Sequence, residues 1–142
     1  MEIRALYDLA QQQNIEVIPF PMRENGSMSI MLEDGRCCIG MDDSVRDGGT
    51  QERVHLGHEL GHCVTGSFYN IYAAMDCRQR HENRADKWAI AALIPVEDLD
   101  EAVAGGCTEI WELAERFSVT EDFVKKAVCY YVHGNVAAEL YF

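Results

Sequence analysis

The sequence predicts an α+β domain, in which a small three-stranded antiparallel sheet is followed by one long central helix and a helical C-terminal part. Apolar segments with strand character lie at residues 15–20, 28–33 and 36–41. The pair Asp34-Gly35 separates the last two segments and is a strong signal for a hairpin turn. A first helical segment precedes the strands, and helical periodicity returns near residue 50 and covers most of the remaining chain.

The other helices follow from apolar stripes and from the residues that end them. Pro95 and the pair Gly105-Gly106 separate helical segments, and Thr120 is a predicted N-cap. We expect a single domain, with a catalytic core over residues 1–95 and a helical C-terminal subdomain over residues 96–142. The predicted helices span residues 2–13, 82–94, 96–104, 109–117 and 121–132, and the last two form a helix-turn-helix-like pair. Residues 67–81 have no clear period.

Composition narrows the class of protein. The chain has 142 residues and a formal net charge of −12, which argues against binding to nucleic acid or to an anionic membrane surface. We find neither a secretory leader nor an apolar run long enough to span a bilayer, so we expect a cytoplasmic protein. The six cysteines form no C-x-x-C pair, and in a reducing compartment we expect six free thiols.

The central helix carries the sequence His58-Glu59-Leu60-Gly61-His62, an H-E-x-x-H pattern. Residues four apart lie on the same face of a helix, so His58 and His62 can bind one metal ion. Glu59 lies about 100° further round, within reach of a water on that metal. Two histidines and a neighbouring glutamate base are the parts of a zinc hydrolase. Thr50 and Gly66 are the predicted caps of this helix.

A zinc site of this kind requires a third protein ligand. The extended scheme H-E-x-x-H-x-x-G-x-x-H fails, because Thr65 and Phe68 occupy its glycine and final histidine positions. The other scheme takes a glutamate from a following helix, and Glu82 begins such a helix. Asp86 shares the face of Glu82 and is positioned to orient a ligating histidine. The alternative is that both are ordinary acids at a helix N-terminus.

Two further histidines compete for places in this site. His81 is next to Glu82 and is therefore a rival ligand, but its side chain points away from the Glu82 face. The alternative is that His81 contacts the substrate or the transition state. His55 lies one turn before His58. As a fourth ligand it would close the site and make the metal structural, and otherwise it contacts substrate or solvent.

The segments HELGH and ENRADKWAIAALIP resemble the ImmA/IrrE family of small metallopeptidases, whose pattern joins H-E-L-G-H to E-x-x-A-[ND]-x-[FW]-A and a proline. The resemblance covers nearly the whole chain and implies a zincin-like fold. It implies that His58, His62 and Glu82 hold zinc, that Glu59 is the catalytic base and that Asp86 supports the ligands. The chain departs from the family at Arg84, where an acid is common, and at His55, where a histidine is unusual.

The resemblance also implies an activity and a partner. It predicts a zinc-dependent endopeptidase that cleaves a helix-turn-helix repressor in a bacterial, phage or mobile-element system. Candidates for contacts to substrate or transition state are Tyr69, Tyr72, His81 and His55, and residues 36–41 are a candidate edge for pairing with an extended substrate. The alternative is a non-catalytic regulator that binds zinc. Manganese and iron are alternative metals for the same ligands. Acidic residues at the start of the 121–132 helix count against DNA reading.

Overall fold

A computed structural model describes residues 1–69 and 74–142 and confirms the α+β class. The helices are α1 (Ile3–Gln12), α2 (Thr50–Thr65), α3 (Met75–Leu93), α4 (Val96–Ala104), α5 (Ile110–Phe117) and α6 (Glu121–His133). The strands are β1 (Glu16–Pro19), β2 (Ser27–Met31) and β3 (Cys37–Met41), and short 3₁₀ turns cover Asp43–Val45 and Ala138–Leu140. Within the described residues, no helix is long and apolar enough to cross a membrane.

The sheet is mixed, so the prediction of a fully antiparallel sheet is wrong in this detail. β3 lies in the centre, with β1 on one side and β2 on the other. The hairpin between β2 and β3 is antiparallel, as the Asp34-Gly35 turn predicts. β1 pairs in parallel with β3. Turn chemistry fixes only the direction of strands joined by a hairpin, and no such turn joins β1 to β3.

The position of β3 also excludes residues 36–41 as a free edge, because both edges of that strand are already paired. The proposed substrate edge at residues 36–41 is therefore wrong. The strand that faces the central helix with an edge unpaired in the described part of the chain is β2.

The central helix α2 packs closely against α3. A Cβ atom at Gly61 would lie 2.4 Å from the carbonyl oxygen of Ala85, so only glycine permits this backbone approach. Gly57 lies against Leu93 and Ala89, one turn along the same contact. Small residues on both helices, Gly57 and Gly61 on α2 and Ala85 and Ala89 on α3, therefore bring the two backbones together.

Helix α3 begins at Met75, seven residues before the predicted start at residue 82. The sequence before residue 82 is polar and lacks an apolar period, which concealed the first two turns. Thr50 is likewise the first helical residue of α2 and not its N-cap. The carboxylate of Asp47 instead accepts the N–H groups of Gly49 and Glu52 at 2.8 and 3.3 Å.

The C-terminal helices are attached to the central helix by Arg53. Its buried guanidinium donates to the carbonyl oxygens of Phe117 and Ser118 at the end of α5, each at 3.1 Å. Thr120 then caps α6 as predicted, accepting the N–H of Phe123 at 3.2 Å. One hydrophobic cluster joins α1, β3, α2, α3 and α6. The division at residue 95 stays a prediction.

One pair of cysteines is joined, so the expectation of six free thiols is wrong. A disulfide links Cys37 on β3 to Cys63 on α2, with their Cα atoms 5.8 Å apart. The two residues are 26 positions apart in sequence, so only the packing of α2 on the sheet brings them together. The free cysteines in the described residues are Cys38, Cys77, Cys107 and Cys129.

Candidate metal centre

Three candidate ligands from two helices meet at one point. The Nε2 atoms of His58 and His62, one turn apart on α2, lie 3.2 Å from each other. Glu82 on α3 places Oε2 2.8 Å from Nε2 of His58 and Oε1 3.2 Å from Nε2 of His62. In the described part of the chain, these residues form the single group of three such side chains whose ligand atoms all lie within 4.8 Å.

Each histidine is oriented by a hydrogen bond at its Nδ1 atom. His58 Nδ1 lies 2.8 Å from Oδ1 of Asp86, and His62 Nδ1 donates to the carbonyl oxygen of Ser67. A carboxylate and a carbonyl oxygen only accept hydrogen bonds, so both Nδ1 atoms carry a proton. This leaves both Nε2 atoms as the positions at which a cation can replace a proton.

The acceptor for His62 comes from a tight turn after α2. The chain turns at Gly66, and the N–H of Ser67 donates to the carbonyl oxygen of His62 at 3.0 Å. The Ser67 hydroxyl lies 2.6 Å from Oγ1 of Thr65, and Ser67 is fully buried. Sequence analysis did not find Ser67, because the acceptor is a backbone carbonyl oxygen, which every type of residue carries.

The carboxylates stabilise a positive charge on this pair of histidines. Burial lowers the pKa of His58, but hydrogen bonds to Asp86 and Glu82 outweigh burial and raise it to about 10. The pKa of His62 is also raised, because its bonds to Glu82 and Ser67 exceed the effect of burial. Burial opposes ionisation of Glu82 and Asp86, yet the bonds from the histidines keep both pKa values below their usual range.

The geometry and chemistry of this group fit a divalent metal ion. Ligands at about 2.0–2.1 Å from a tetrahedral zinc lie about 3.3–3.4 Å from one another. The two Nε2 atoms lie 3.2 Å apart, and each lies 2.8 to 3.2 Å from the Glu82 oxygen that it contacts, which is close to that spacing. With one atom taken from each residue, all three lie within 4.8 Å of one another. A cation between them would take the place of the protons that the Nε2 atoms share with Glu82, while the bonds at Nδ1 remain.

The predicted base Glu59 lies beside the ligands and is buried, with 5% of its surface exposed. Its Oε2 accepts a hydrogen bond of 2.8 Å from the hydroxyl of Ser27, the first residue of β2. The same hydroxyl lies 2.8 Å from Nδ1 of His55. His55 is therefore directed towards Ser27 and is not in the ligand group. Ser27 escaped sequence analysis because 32 residues separate it from Glu59.

The remaining candidates differ in how they relate to the centre. The hydroxyl of Tyr69 donates to Oε1 of Glu82 at 2.8 Å, and burial together with this carboxylate raises its pKa to about 12. The ring of His81 stacks on that of Tyr69, with centroids 6.1 Å apart, and its Nδ1 is buried with no hydrogen-bond partner among the described residues. His81 stands outside the ligand group. Tyr72 lies outside the described residues.

The three candidate ligands line one cleft together with Glu59 and Tyr69, and its volume is about 960 Å³. The strand β2 forms one wall through Met28 and Ile30, and the start of α6 contributes Phe123 and Lys126. Lys126 also donates to Oδ2 of Asp86 at 3.2 Å. The second helix of the predicted helix-turn-helix-like pair therefore borders the cleft and contacts Asp86, which is bonded to the candidate ligand His58.

Comparisons with known proteins agree with this arrangement. No curated protein matches the chain significantly. The sequence model of the Peptidase_M78 family, described as the IrrE N-terminal-like domain, matches residues 10–128. This range includes all three ligand candidates, the candidate base and most of α6. Because the match covers far more than half of the chain, the protein belongs to the Peptidase_M78 family of IrrE N-terminal-like domains.

Proposed function

We propose that this protein is a zinc-dependent endopeptidase of the ImmA/IrrE type, with Zn²⁺ held by His58, His62 and Glu82. The observation that carries the proposal is the convergence of these three ligands beside Glu59 in a cleft, within a chain of a peptidase family. When bound, Zn²⁺ would supply Lewis-acid chemistry, by polarising the scissile carbonyl and bringing the pKa of a water to about 7.

The residues of the chain have separate tasks in this proposal. Glu59 accepts a proton from the attacking water at a carboxylate oxygen and passes it to the nitrogen of the leaving amine. Asp86 and the carbonyl oxygen of Ser67 hold the imidazole rings through Nδ1. Of the described candidates, Tyr69 is better placed than His81 to donate a hydrogen bond to the oxyanion, since its hydroxyl already lies against Glu82.

The substrate in this proposal is an extended peptide that pairs with the free edge of β2. The N–H of Asp42 donates to the carbonyl oxygen of Gly26, and the N–H of Leu32 donates to the carbonyl oxygen of Arg36. Gly26 and Leu32 are therefore the hydrogen-bonded positions at the two ends of the β2–β3 ladder. By the alternation of an antiparallel ladder, the N–H and C=O groups of Ser27, Ser29 and Met31 then point away from β3. An exposed row of such groups is suited to binding another strand.

The proposed protein partner is a helix-turn-helix repressor in a bacterial, phage or mobile-element regulatory system, and the proposed location is the cytoplasm. The support for this partner is membership of the family that the HELGH and ENRADKWA segments resemble. We propose no direct contact with nucleic acid, in keeping with a net charge of −12.

The test compares zinc-loaded wild type with Glu59→Gln. Each is incubated with a panel of purified helix-turn-helix repressors and with a library of proteome-derived peptides, and new termini are identified by mass spectrometry. We expect cleavage by wild type, loss of at least about 100-fold of the rate in Glu59→Gln because the base is missing, and the same zinc content in both. Glu115→Gln, an exposed change on α5, is the matched control.

Equal cleavage by Glu59→Gln and wild type would show that Glu59 is not the base. Binding of a repressor that a chelator does not alter, with no cleavage of any substrate, would instead favour the non-catalytic regulator.

A further inference from the structure

Behind the candidate base lies a chain of three polar side chains from two elements. His55 and Glu59 are one turn apart on α2, and Ser27 at the start of β2 lies between them. The Ser27 hydroxyl oxygen is 2.8 Å from Oε2 of Glu59 and 2.8 Å from Nδ1 of His55. Ser27 and Glu59 are both buried.

The chemistry of the groups fixes the direction of this chain. An ionised carboxylate only accepts, so the single hydroxyl hydrogen of Ser27 points to Oε2 of Glu59. Oγ then has only lone pairs to offer to His55, and the Nδ1 atom of His55 must be the donor. This order differs from a Ser-His-acid nucleophile triad, because the serine lies in the middle and its hydroxyl donates to the acid.

The local backbone is built to allow this contact. Gly26, immediately before Ser27, has φ of +77°, a left-handed conformation that favours glycine. A Cβ atom there would lie 2.6 Å from Cγ1 of Val45 and 3.3 Å from Cε1 of His55. Glycine therefore allows the beginning of β2 to approach α2 closely enough for the Ser27 hydroxyl to reach the carboxylate.

The bond leaves one oxygen of Glu59 available. Oε2 is engaged by Ser27, whereas Oε1 has no hydrogen-bond partner in the part of the chain that the structure describes. A general base acts only within about 2.6–3.2 Å of the proton that it takes. A carboxylate held at one oxygen presents the other in a fixed place.

We infer that Ser27 and His55 are positioning residues for the base: His55 orients the Ser27 hydroxyl, which holds Glu59 with one oxygen directed at the reacting water. This inference rests on the proposed function, because it assumes that Glu59 is the base beside a metal ion. It adds two residues outside the H-E-x-x-H pattern to the machinery of the reaction.

The test uses two small probes on the cobalt-loaded protein, read out by the visible absorption of the metal. Acetohydroxamate binds a metal through oxygen and gives a proton to a neighbouring carboxylate, whereas azide binds as an anion without a proton to give. We expect Ser27→Ala to weaken acetohydroxamate about tenfold, the scale of one lost hydrogen bond to a charged group, and to leave azide affinity unchanged.

Conservative variants separate positioning from a general effect on folding. Ser27→Thr keeps the hydroxyl and should retain acetohydroxamate affinity. His55→Leu removes the donor and should weaken acetohydroxamate, whereas His55→Asn keeps an N–H group near the place of Nδ1 and should restore most of it. Ser44→Ala, at an exposed serine outside the cleft, is the control for the serine change.

Each outcome bears on a different claim. The positioning role would be overturned if Ser27→Ala kept wild-type acetohydroxamate affinity, or if it lost azide affinity to the same extent. In either case, weaker acetohydroxamate binding by Glu59→Gln would leave the proposed function standing. Undiminished acetohydroxamate affinity in Glu59→Gln would overturn the assignment of the base, and the positioning role with it.

Discussion

At the scale of single residues, the two histidines of the centre are alike in pattern but differ in support. His58 is held by a carboxylate of α3, which itself is bonded to Lys126 of α6. His62 is held by a backbone carbonyl five residues further along its own chain. Of the two histidines, only His58 therefore loses a hydrogen bond when Asp86 is replaced, whereas the support of His62 depends on the turn that follows α2.

The identity of the third ligand gives the first prediction at this scale. Among the described residues, Glu82 is the carboxylate that contacts both Nε2 atoms, so we expect the zinc affinity of Glu82→Ala to fall at least about tenfold. His81→Ala, the change next to it, should leave zinc binding unaltered, because His81 lies outside the ligand group. Zinc content by elemental analysis and a competition titration provide the measurement. Equal zinc binding in wild type and Glu82→Ala would mean that another residue completes the site.

At the scale of elements, the site depends on how closely α2 approaches α3. Glu82 reaches the two histidines because glycine at position 61 lets the helices meet backbone to backbone. β2 adds the second contact, by bringing Ser27 to Glu59 across the end of the cleft. The centre is thus assembled from α2, α3 and β2, which are separate segments of the sequence.

Substitutions at two glycines of α2 test the helix contact. In Gly61→Ala the new Cβ would meet the Ala85 carbonyl oxygen at 2.4 Å, so α3 must move and carry Glu82 with it. We expect about 1–3 kcal/mol lower free energy of unfolding and weaker zinc binding. Gly57→Ala meets only the tip of the Leu93 side chain at 3.0 Å, which can turn aside. Urea unfolding and zinc titration of both variants measure the difference, and similar behaviour of the two would contradict this account.

A proline on the edge strand tests the proposed substrate wall. Ser29→Pro removes an N–H group that points away from β3, so the ladder of the sheet stays intact. We expect zinc binding to persist while cleavage of library peptides falls at least about tenfold, through lost hydrogen bonds to the substrate. Ser29→Ala keeps the N–H group and isolates the contribution of the side chain. Full cleavage by a folded, zinc-loaded Ser29→Pro would show that substrates bind elsewhere.

At the scale of the whole molecule, one hydrophobic core supports both the sheet and the C-terminal helices, and polar contacts connect those helices to the site. Arg53 fixes the end of α5 to the central helix, and Lys126 on α6 reaches Asp86. A part of the chain that the sequence presents as a separate helical pair therefore forms a wall of the cleft. Its acidic start at Glu121 and Asp122 would repel the phosphates of DNA, which argues against a DNA-reading role for this helix.

The stability of the metal-free molecule should depend on pH through the same cluster. The pKa of His58 is raised to about 10, so its stabilising effect is complete below about pH 6.5, the unfolded value, and is lost as pH rises through 10. The pKa values of Glu82 and Asp86 are lowered, so their contributions are present above about pH 4 and are lost on acidification.

We therefore expect the free energy of unfolding, measured with urea in the presence of a chelator, to be lower at pH 9 than at pH 6 by on the order of 2 kcal/mol. His58→Gln should show little of this difference. With excess zinc the order should reverse, because metal binding requires deprotonated histidines. No change between pH 6 and pH 9 in the metal-free protein would contradict the charged state assigned to His58.

The sequence by itself determined the α+β class, the β2–β3 hairpin and the choice of His58, His62 and Glu82 as candidate ligands. These follow from a turn pair, a helical period, two histidines at fixed spacing on one helix face, and a glutamate in the next helical segment. Tertiary structure alone decided the parallel pairing of β1, the disulfide between Cys37 and Cys63, and the support of the site by Ser27, Ser67 and Lys126. Most of these contacts join positions far apart in the chain, and the Ser67 contact uses a backbone oxygen that every residue carries, so no local pattern of residue types encodes them.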